Sequence, residues 1–314
     1  MVNKLTNDKK VYIADKTDEN IHIWLREQKN GILSCKVHSV YDKVVNIISC
    51  DKEKFFSISS AETIQSPMMI KLTENISFTK SRERIYVDDI VEKCDENSIR
   101  IGNFIFDCSK SRLWSGKIPI QKPDYKNISE NTIKTIEFIL KNGKDSGLLS
   151  AWKHYYKGYE HLETNDVYAK IFFDKLSKLQ NSIVNDNYKE FIKIIYEFIG
   201  LGIGLTPSGD DFILGLLSVF KAYEFHPYNF IIKNECIEDL KSRSTTVSYF
   251  MLKNCIQGFI NEALLKFIQN DCEKETILNN ILKIGSTSGT DMLIGVVFAL
   301  NILLQKYSLI DWRK

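Results

Sequence analysis

Leu205-Thr206-Pro207-Ser208-Gly209-Asp210-Asp211-Phe212-Ile213-Leu214-Gly215 is answered, 80 residues later, by Gly285-Ser286-Thr287-Ser288-Gly289-Thr290-Asp291-Met292-Leu293-Ile294-Gly295. The shared pattern is Ser-Gly-x-Asp, three apolar residues, then glycine. Each copy runs into an apolar stretch of helical length, Phe212 to Phe220 and Met292 to Leu304. An internal match of this kind predicts two helix starts made for one purpose. Ser208 and Ser288 read as N-caps, each with an aspartate three residues on, which is the spacing of a capping box. Gly209 and Gly289 carry no side chain, so a small anion can approach the backbone N–H groups of each helix start. Asp211 and Gly215 are four apart and share a helix face, as do Asp291 and Gly295. Asp210 has no counterpart in the second copy and points about 100° round the helix. The plainer alternative is two capped helices that pack closely through their glycines.

Outward from the motif, the chain changes character near its middle. The first part alternates in period two, in strand-length runs separated by turn residues. Val11–Ile13, Ile21–Leu25, Ile32–Val37, Val44–Ile48, Phe55–Ile58, Ile99–Ile101 and Phe104–Phe106 are examples of runs read as strands. Pro119 to Pro123 reads as a linker. Beyond it the period becomes helical: Ser129 is read as the cap of Glu130 to Lys141, and Tyr188 to Phe198 closes at Gly200. Further helices are expected over Leu148–Leu162, Asp166–Leu179, Thr245–Ile268 with a break at Gly258, and Glu273–Lys283. The fold class expected is α+β. A β-rich barrel or sandwich-like domain over residues 1–123 precedes an all-α domain over 124–314 that holds both motif copies.

Composition excludes several function classes. Among 314 residues, 42 Lys and Arg against 40 Asp and Glu leave a net charge of +2, too little to attract nucleic acid. The seven cysteines (35, 50, 94, 108, 236, 255, 272) form no Cys-x-x-Cys, so no zinc ribbon or disulfide framework is expected, and reduced thiols in a cytoplasm fit best. The start, Met1 to Asn7, has no apolar run of the kind a signal peptide needs. Met292 to Leu304 is short for a membrane span and contains Asn301, so it reads as a buried core helix. The histidines (22, 38, 154, 161, 226) show no ligand spacing. No Walker loop, nucleophile elbow or dinucleotide fingerprint is present.

Between the two copies lies Lys241-Ser242-Arg243-Ser244-Thr245-Thr246-Val247-Ser248, a third hydroxyl-rich helix start, where Arg243 offers a planar cation suited to phosphate or carboxylate. Gly202-Ile203-Gly204-Leu205-Thr206-Pro207-Ser208-Gly209-Asp210-Asp211 with Gly215 resembles the signature of the AllH-type proteins, named for a subunit of the oxamate carbamoyltransferase of anaerobic allantoin use. The likeness extends to Arg243–Ser248 with Gly258 and to Ser286–Asp291. It also touches His38-Ser39-Val40-Tyr41 and Val45-Asn46.

That resemblance implies participation in carbamoyl transfer between oxalurate and phosphate, giving oxamate and carbamoyl phosphate. It also implies an enzyme assembled with two other subunits, AllF- and AllG-like. The expected site has Asp211, Asp291 and Arg243 as catalytic residues. Thr206, Ser208, Gly209, Asp210, Thr245, Thr246, Ser286, Ser288 and Gly289 are expected to hold a small anionic substrate. Asp211 and Asp291 would accept from an amide NH₂. A second reading gathers Asp210, Asp211 and Asp291 around Mg²⁺, as in a metal-dependent hydrolase. A third makes the chain a structural subunit. Neither nucleic acid nor a membrane is expected as a partner.

Overall fold

The computed structural model describes residues 10–80, 84–225, 237–269 and 274–306. Three residues read above, His226, Cys236 and Cys272, lie outside the described residues, as do Met1 to Asn7. The chain divides into two compact units, Met1–Gly116 and Lys117–Lys314.

The first unit is a closed barrel. Its strands are β1 (Lys10–Asp18), β2 (Gly31–Val40), β3 (Val44–Ser49), β4 (Phe55–Ser59), β5 (Met69–Leu72), β6 (Ile90–Asp95), β7 (Ser98–Ile101) and β8 (Phe104–Asp107). They run in the order β5-β4-β3-β2-β6-β7-β8-β1, and antiparallel pairing of β1 with β5, Ala14 opposite Leu72, closes the ring. Closure is what distinguishes a barrel from a sandwich, and it leaves no barrel edge unpaired. A short strand β9 (Arg112–Trp114) adds parallel to the far end of β1. Alternate residues fill the interior; Tyr12 stacks between Phe104 and Phe106 with ring centroids 5.9 Å from each.

One run read as a strand is a helix. Ile21–Leu25 lies within α1 (Glu19–Glu27), where Asp18 caps by accepting from the Asn20 N–H at 3.0 Å. The same residues that alternate also place Ile21, Trp24 and Leu25 at i, i+3 and i+4, and the cap together with burial of that stripe decides for the helix. Strands β5 and β9, of four and three residues, are too short to show a period, and in β6 Glu92, Lys93 and Asp95 interrupt the apolar alternation.

The second unit has ten helices among the described residues: α2 (Tyr125–Asn142), α3 (Gly147–Tyr156), α4 (Val167–Val184), α5 (Tyr188–Phe198), α6 (Ser208–Ala222), α7 (Ile237–Arg243), α8 (Thr246–Ile256), α9 (Glu262–Gln269), α10 (Lys274–Leu282) and α11 (Ser288–Lys306). Helix α2 starts earlier than expected because Asp124, not Ser129, is its cap, accepting from Asn127 N–H at 3.2 Å. The expected break at Gly258 is real; its φ of +89° ends α8. Residues 117–121 do not behave as a free linker. Ile118 N–H donates to Gly258 and Gln121 N–H to Ala222, which ties the segment into the helical unit.

Helices α6 and α11 form the axis of this unit. Every residue from Gly209 to Phe220 and from Ser288 to Leu304 is buried. Helix α11 is long and apolar enough to cross a membrane by length and composition, but it is 94% buried within the unit, as a core helix is. Five described cysteines (35, 50, 94, 108, 255) are free.

Candidate functional site

The two motif copies meet each other. A Cβ built on Gly215 would overlap the carbonyl oxygen of Met292 and come within 2.9 Å of its carbon; one on Gly295 would do the same to Phe212. Under the 80-residue offset, Gly215 corresponds to Gly295 and Phe212 to Met292, so each contact maps onto the other. The glycines therefore let α6 and α11 cross at backbone contact, one turn below the two aspartates.

The hydroxyls exchange in the same way. Ser288 hydrogen-bonds the Asp211 carboxyl, and Ser208 that of Asp291. Thr206 and Ser288 share a hydrogen bond of 2.9 Å. This corrects the capping-box reading. Helix α6 begins at Ser208 with Pro207 as its N-cap and no side-chain capping bond. The serine thus sits inside the first turn, where its own aspartate is not its partner, and it reaches the other helix's aspartate instead.

Both carboxyls are sealed from water, Asp211 at 1% and Asp291 at 0% exposure. Burial holds the Asp211 carboxyl well above the usual carboxylate range, and the neighbouring charges of Asp291 and Asp210 push the same way; Ser288 and Thr206 oppose them. Burial raises Asp291 to about 6, against hydrogen bonds from Ser208, Ser146 and Thr287. Neither shift has a lysine or arginine among its causes. One oxygen of each, Asp211 Oδ2 and Asp291 Oδ2, is buried without a hydrogen-bond partner. Native structures rarely leave such atoms unmatched, and buried carboxyls with shifted pKa values are candidates for a functional site.

Asp210 does a different job. Its Oδ1 accepts from Gly200 N–H at 2.7 Å, and its Oδ2 accepts from Ser248 at 2.6 Å and from Ser244. The third hydroxyl-rich helix start is thus fastened to the first motif by Asp210. Thr245 caps α8, accepting from Ser248 N–H at 3.2 Å, and donates to the Leu205 carbonyl. Thr246 follows half-buried at the start of α8, and Ser286 is exposed before α11. Asp210 has no free oxygen to join Asp211 and Asp291 around Mg²⁺. Among the described residues, no group of three or more His, Cys, Asp or Glu side chains is placed to hold a metal ion.

Two other expectations change. The N–H groups of Gly209 and Gly289 are already taken, by the carbonyls of Leu201 at 2.8 Å and Ile284 at 3.1 Å. A Cβ at either glycine would overlap the end of the preceding helix, at Phe198 or Ile281, so close packing and not ligand approach requires them. Arg243 is exposed, with its guanidinium 5.7 Å from the Tyr196 ring centroid, and it lines an open groove of about 710 Å³ with Lys189, Glu190 and Lys193. No recorded contact brings it to either buried carboxyl.

Sequence reading missed Ser146, Lys144 and Thr290. Ser146 caps α3, accepting from Leu149 N–H at 3.1 Å, and its hydroxyl donates to Asp291 Oδ1 at 2.9 Å. Lys144 N–H donates to Thr290 at 3.0 Å, and its ammonium to the Gly285 carbonyl at 3.2 Å. The signal was present: Ser146-Gly147 is a third Ser-Gly at a helix start. In the barrel, Asn46 donates to Ser39 at 3.0 Å and accepts from Ser57 at 2.7 Å, with His38 Nδ1 3.1 Å from Ser39. That ladder ties β2, β3 and β4 together and accounts for those polar residues within the barrel. His154 bonds its own helix at Ser150 and has no recorded link to His161.

Residues 198–300 match the family model described as oxamate carbamoyltransferase subunit AllH, and residues 11–113 match the AllH family N-terminal domain. The first match spans both motif copies and the Arg243–Ser248 segment. No solved structure matches the chain.

Proposed function

The chain belongs to the AllH family of oxamate carbamoyltransferase subunits, and from this premise we propose that it contributes a substrate-binding centre at Asp211 and Asp291. The reaction is carbamoyl transfer between oxalurate and phosphate, yielding oxamate and carbamoyl phosphate, in the nitrogen catabolism of allantoin. The chain works with other subunits, as the word subunit in the family's description leads one to expect; AllF- and AllG-like partners and a cytoplasmic location are part of the same proposal.

The observation that carries this reading is the pair of buried, unpartnered carboxyl oxygens where α6 and α11 cross. Positioning of a planar carbamoyl group needs fixed polar atoms in a dry place, and such placement by itself supplies a large share of a transfer reaction's acceleration. The Gly209 and Gly289 amides are occupied, so the phosphate or carboxylate of the substrate is held by other groups, including those of partner subunits. The test is Asp211→Ala and Asp291→Ala in the assembled enzyme. Each is expected to lower kcat/KM by at least about a hundredfold, a loss of about 2.7 kcal/mol in transition-state stabilisation. Full activity in a folded Asp211→Ala enzyme would remove the proposal.

A further inference from the structure

We propose that the helical unit binds a compact monocarboxylate with a hydrocarbon end in the cavity lined by Lys274. Neither Asp211 nor Asp291 takes part. The cavity lies at the far end of α6 from Asp211, beside Val219 and the C-cap residue Tyr223.

The cavity has a volume of about 100 Å³, and its lining is divided in character. Ile128 of α2, Val219 of α6, Phe267 and Ile268 of α9 and Leu300 of α11 line it and are all buried. The more exposed lining is polar, with Lys122, Asn127, Tyr223 and Lys274 among it. Apolar walls with a few converging polar groups are the usual form of a small-molecule site. A water takes about 30 Å³ of liquid, so the space suits a molecule of few heavy atoms.

Lys274 sets the charge of the ligand. Its ammonium is half-buried, 5.7 Å from the Phe267 ring centroid, and no ion pair or hydrogen bond is recorded for it among the described residues. Burial, and then the charge of Lys134, lower its pKa to about 8, with no acid among the causes. The ring face offsets part of that desolvation but gives the three N–H groups no acceptor. A carboxylate gives one. Asn127 adds a donor: Asn131 Nδ2 donates to Asn127 Oδ1 at 2.6 Å, which leaves the Asn127 NH₂ to donate elsewhere.

Asp124 is the one carboxylate lining the cavity among the described residues, and its Oδ1 is engaged in capping α2. Lys122 and Lys274 outnumber it, and the surplus positive charge is matched by a single negative one. The buried apolar lining excludes ligands that are polar throughout. Phosphate and oxamate leave it unmatched, whereas a short alkyl chain fills it.

The experiment is calorimetric titration of the full chain with butyrate, against butyramide, which lacks the charge, and acetate, which lacks two methylene groups. Butyrate is expected to bind with a dissociation constant of about 1 mM. Acetate is expected to bind about tenfold more weakly for want of the methylene groups, and butyramide about tenfold more weakly for want of the ion pair. Lys274→Met is expected to lose the preference for butyrate over butyramide, and Lys274→Arg to keep it. In the chain labelled with carbon-13 at lysine Cε, NMR is expected to show one lysine titrating near 8, absent from both variants. Butyrate is expected to move that titration upward, because a bound carboxylate favours the charged ammonium. The charged and titratable groups bearing on it are Lys134 on α2, Lys122 and Asp124 ahead of α2, and Tyr223 after α6. No binding of butyrate, equal binding of butyrate and butyramide, or a Lys274 signal that butyrate leaves unmoved would overturn the proposal. Displacement of butyrate by oxamate at this cavity would overturn the ligand class.

Discussion

Gly215 of α6 lies against the carbonyl of Met292 in α11, just as Gly295 of α11 lies against that of Phe212 in α6. No side chain separates the helices there, so their crossing sets the positions of Asp211 and Asp291 one turn above. Gly215→Ala is expected to force the helices apart and cost about 3 kcal/mol or more, overriding the roughly 1 kcal/mol by which alanine favours a helix. Chemical denaturation of Gly215→Ala and Gly295→Ala would measure it. A neutral effect in either would show that the crossing is softer than described.

The buried Asp291 makes stability depend on pH in an uncommon direction. Its carboxyl is raised to about 6 by burial, above the ordinary value of 3.8 that an unfolded chain would show. Between those values the folded state binds more protons than the unfolded one, so this group's contribution is present below about 4, is lost as pH rises to about 6 and is level beyond it. A shift of about two units corresponds to about 3 kcal/mol. Asp291→Asn is therefore expected to be more stable than the native chain at pH 8 and to flatten its pH profile. Thermal unfolding across pH 4 to 8, on the order of those limits, would show a profile of opposite slope if Asp291 were paired with a cation.

The crossed hydroxyls predict an effect on the opposite helix. Ser208 lowers the Asp291 carboxyl by hydrogen bonding, although the two residues belong to different motif copies. Ser208→Ala should raise the Asp291 pKa above about 6. Carbon-detected NMR titration of aspartate carboxyls reads this directly. An unmoved Asp291 alongside a shifted Asp211 would restore the local capping arrangement.

Asp210 should matter for stability. Removing it leaves the Gly200 N–H and the Ser244 and Ser248 hydroxyls without their acceptor in a buried place. Asp210→Ala is expected to cost about 3 kcal/mol, since each abandoned buried donor costs about 1–3 kcal/mol. Equilibrium unfolding in urea measures the loss.

Arg243 should matter little. Its exposed guanidinium packs on Tyr196, a contact worth about 0.5–1 kcal/mol in water. Arg243→Ala is expected to leave oxamate affinity unchanged in calorimetry. A large loss of affinity in a fully folded variant would return the residue to the site.

Local periodicity carried much of the fold. Val44–Ile48 and Tyr188–Phe198 formed the expected elements because alternation and helical spacing are properties of neighbouring residues, and the residues that cap or end an element sit beside it. Where local signals conflicted they were insufficient. Ile21–Leu25 satisfied both periods, and only the Asp18 cap and the burial of one stripe chose the helix. The candidate site divides along the same line. The sequence by itself determined that two matching helix starts exist, that each carries an aspartate one turn from a glycine on the same helix face, and that Asp210 faces away from Asp211. The tertiary structure decided that Ser208 serves Asp291 and Ser288 serves Asp211, that Ser146 joins them from α3, and that Arg243 stands apart. Those partnerships join residues remote in the chain. They depend on how closely two helices can approach, and the glycines at 215 and 295 permit that approach without specifying the partner.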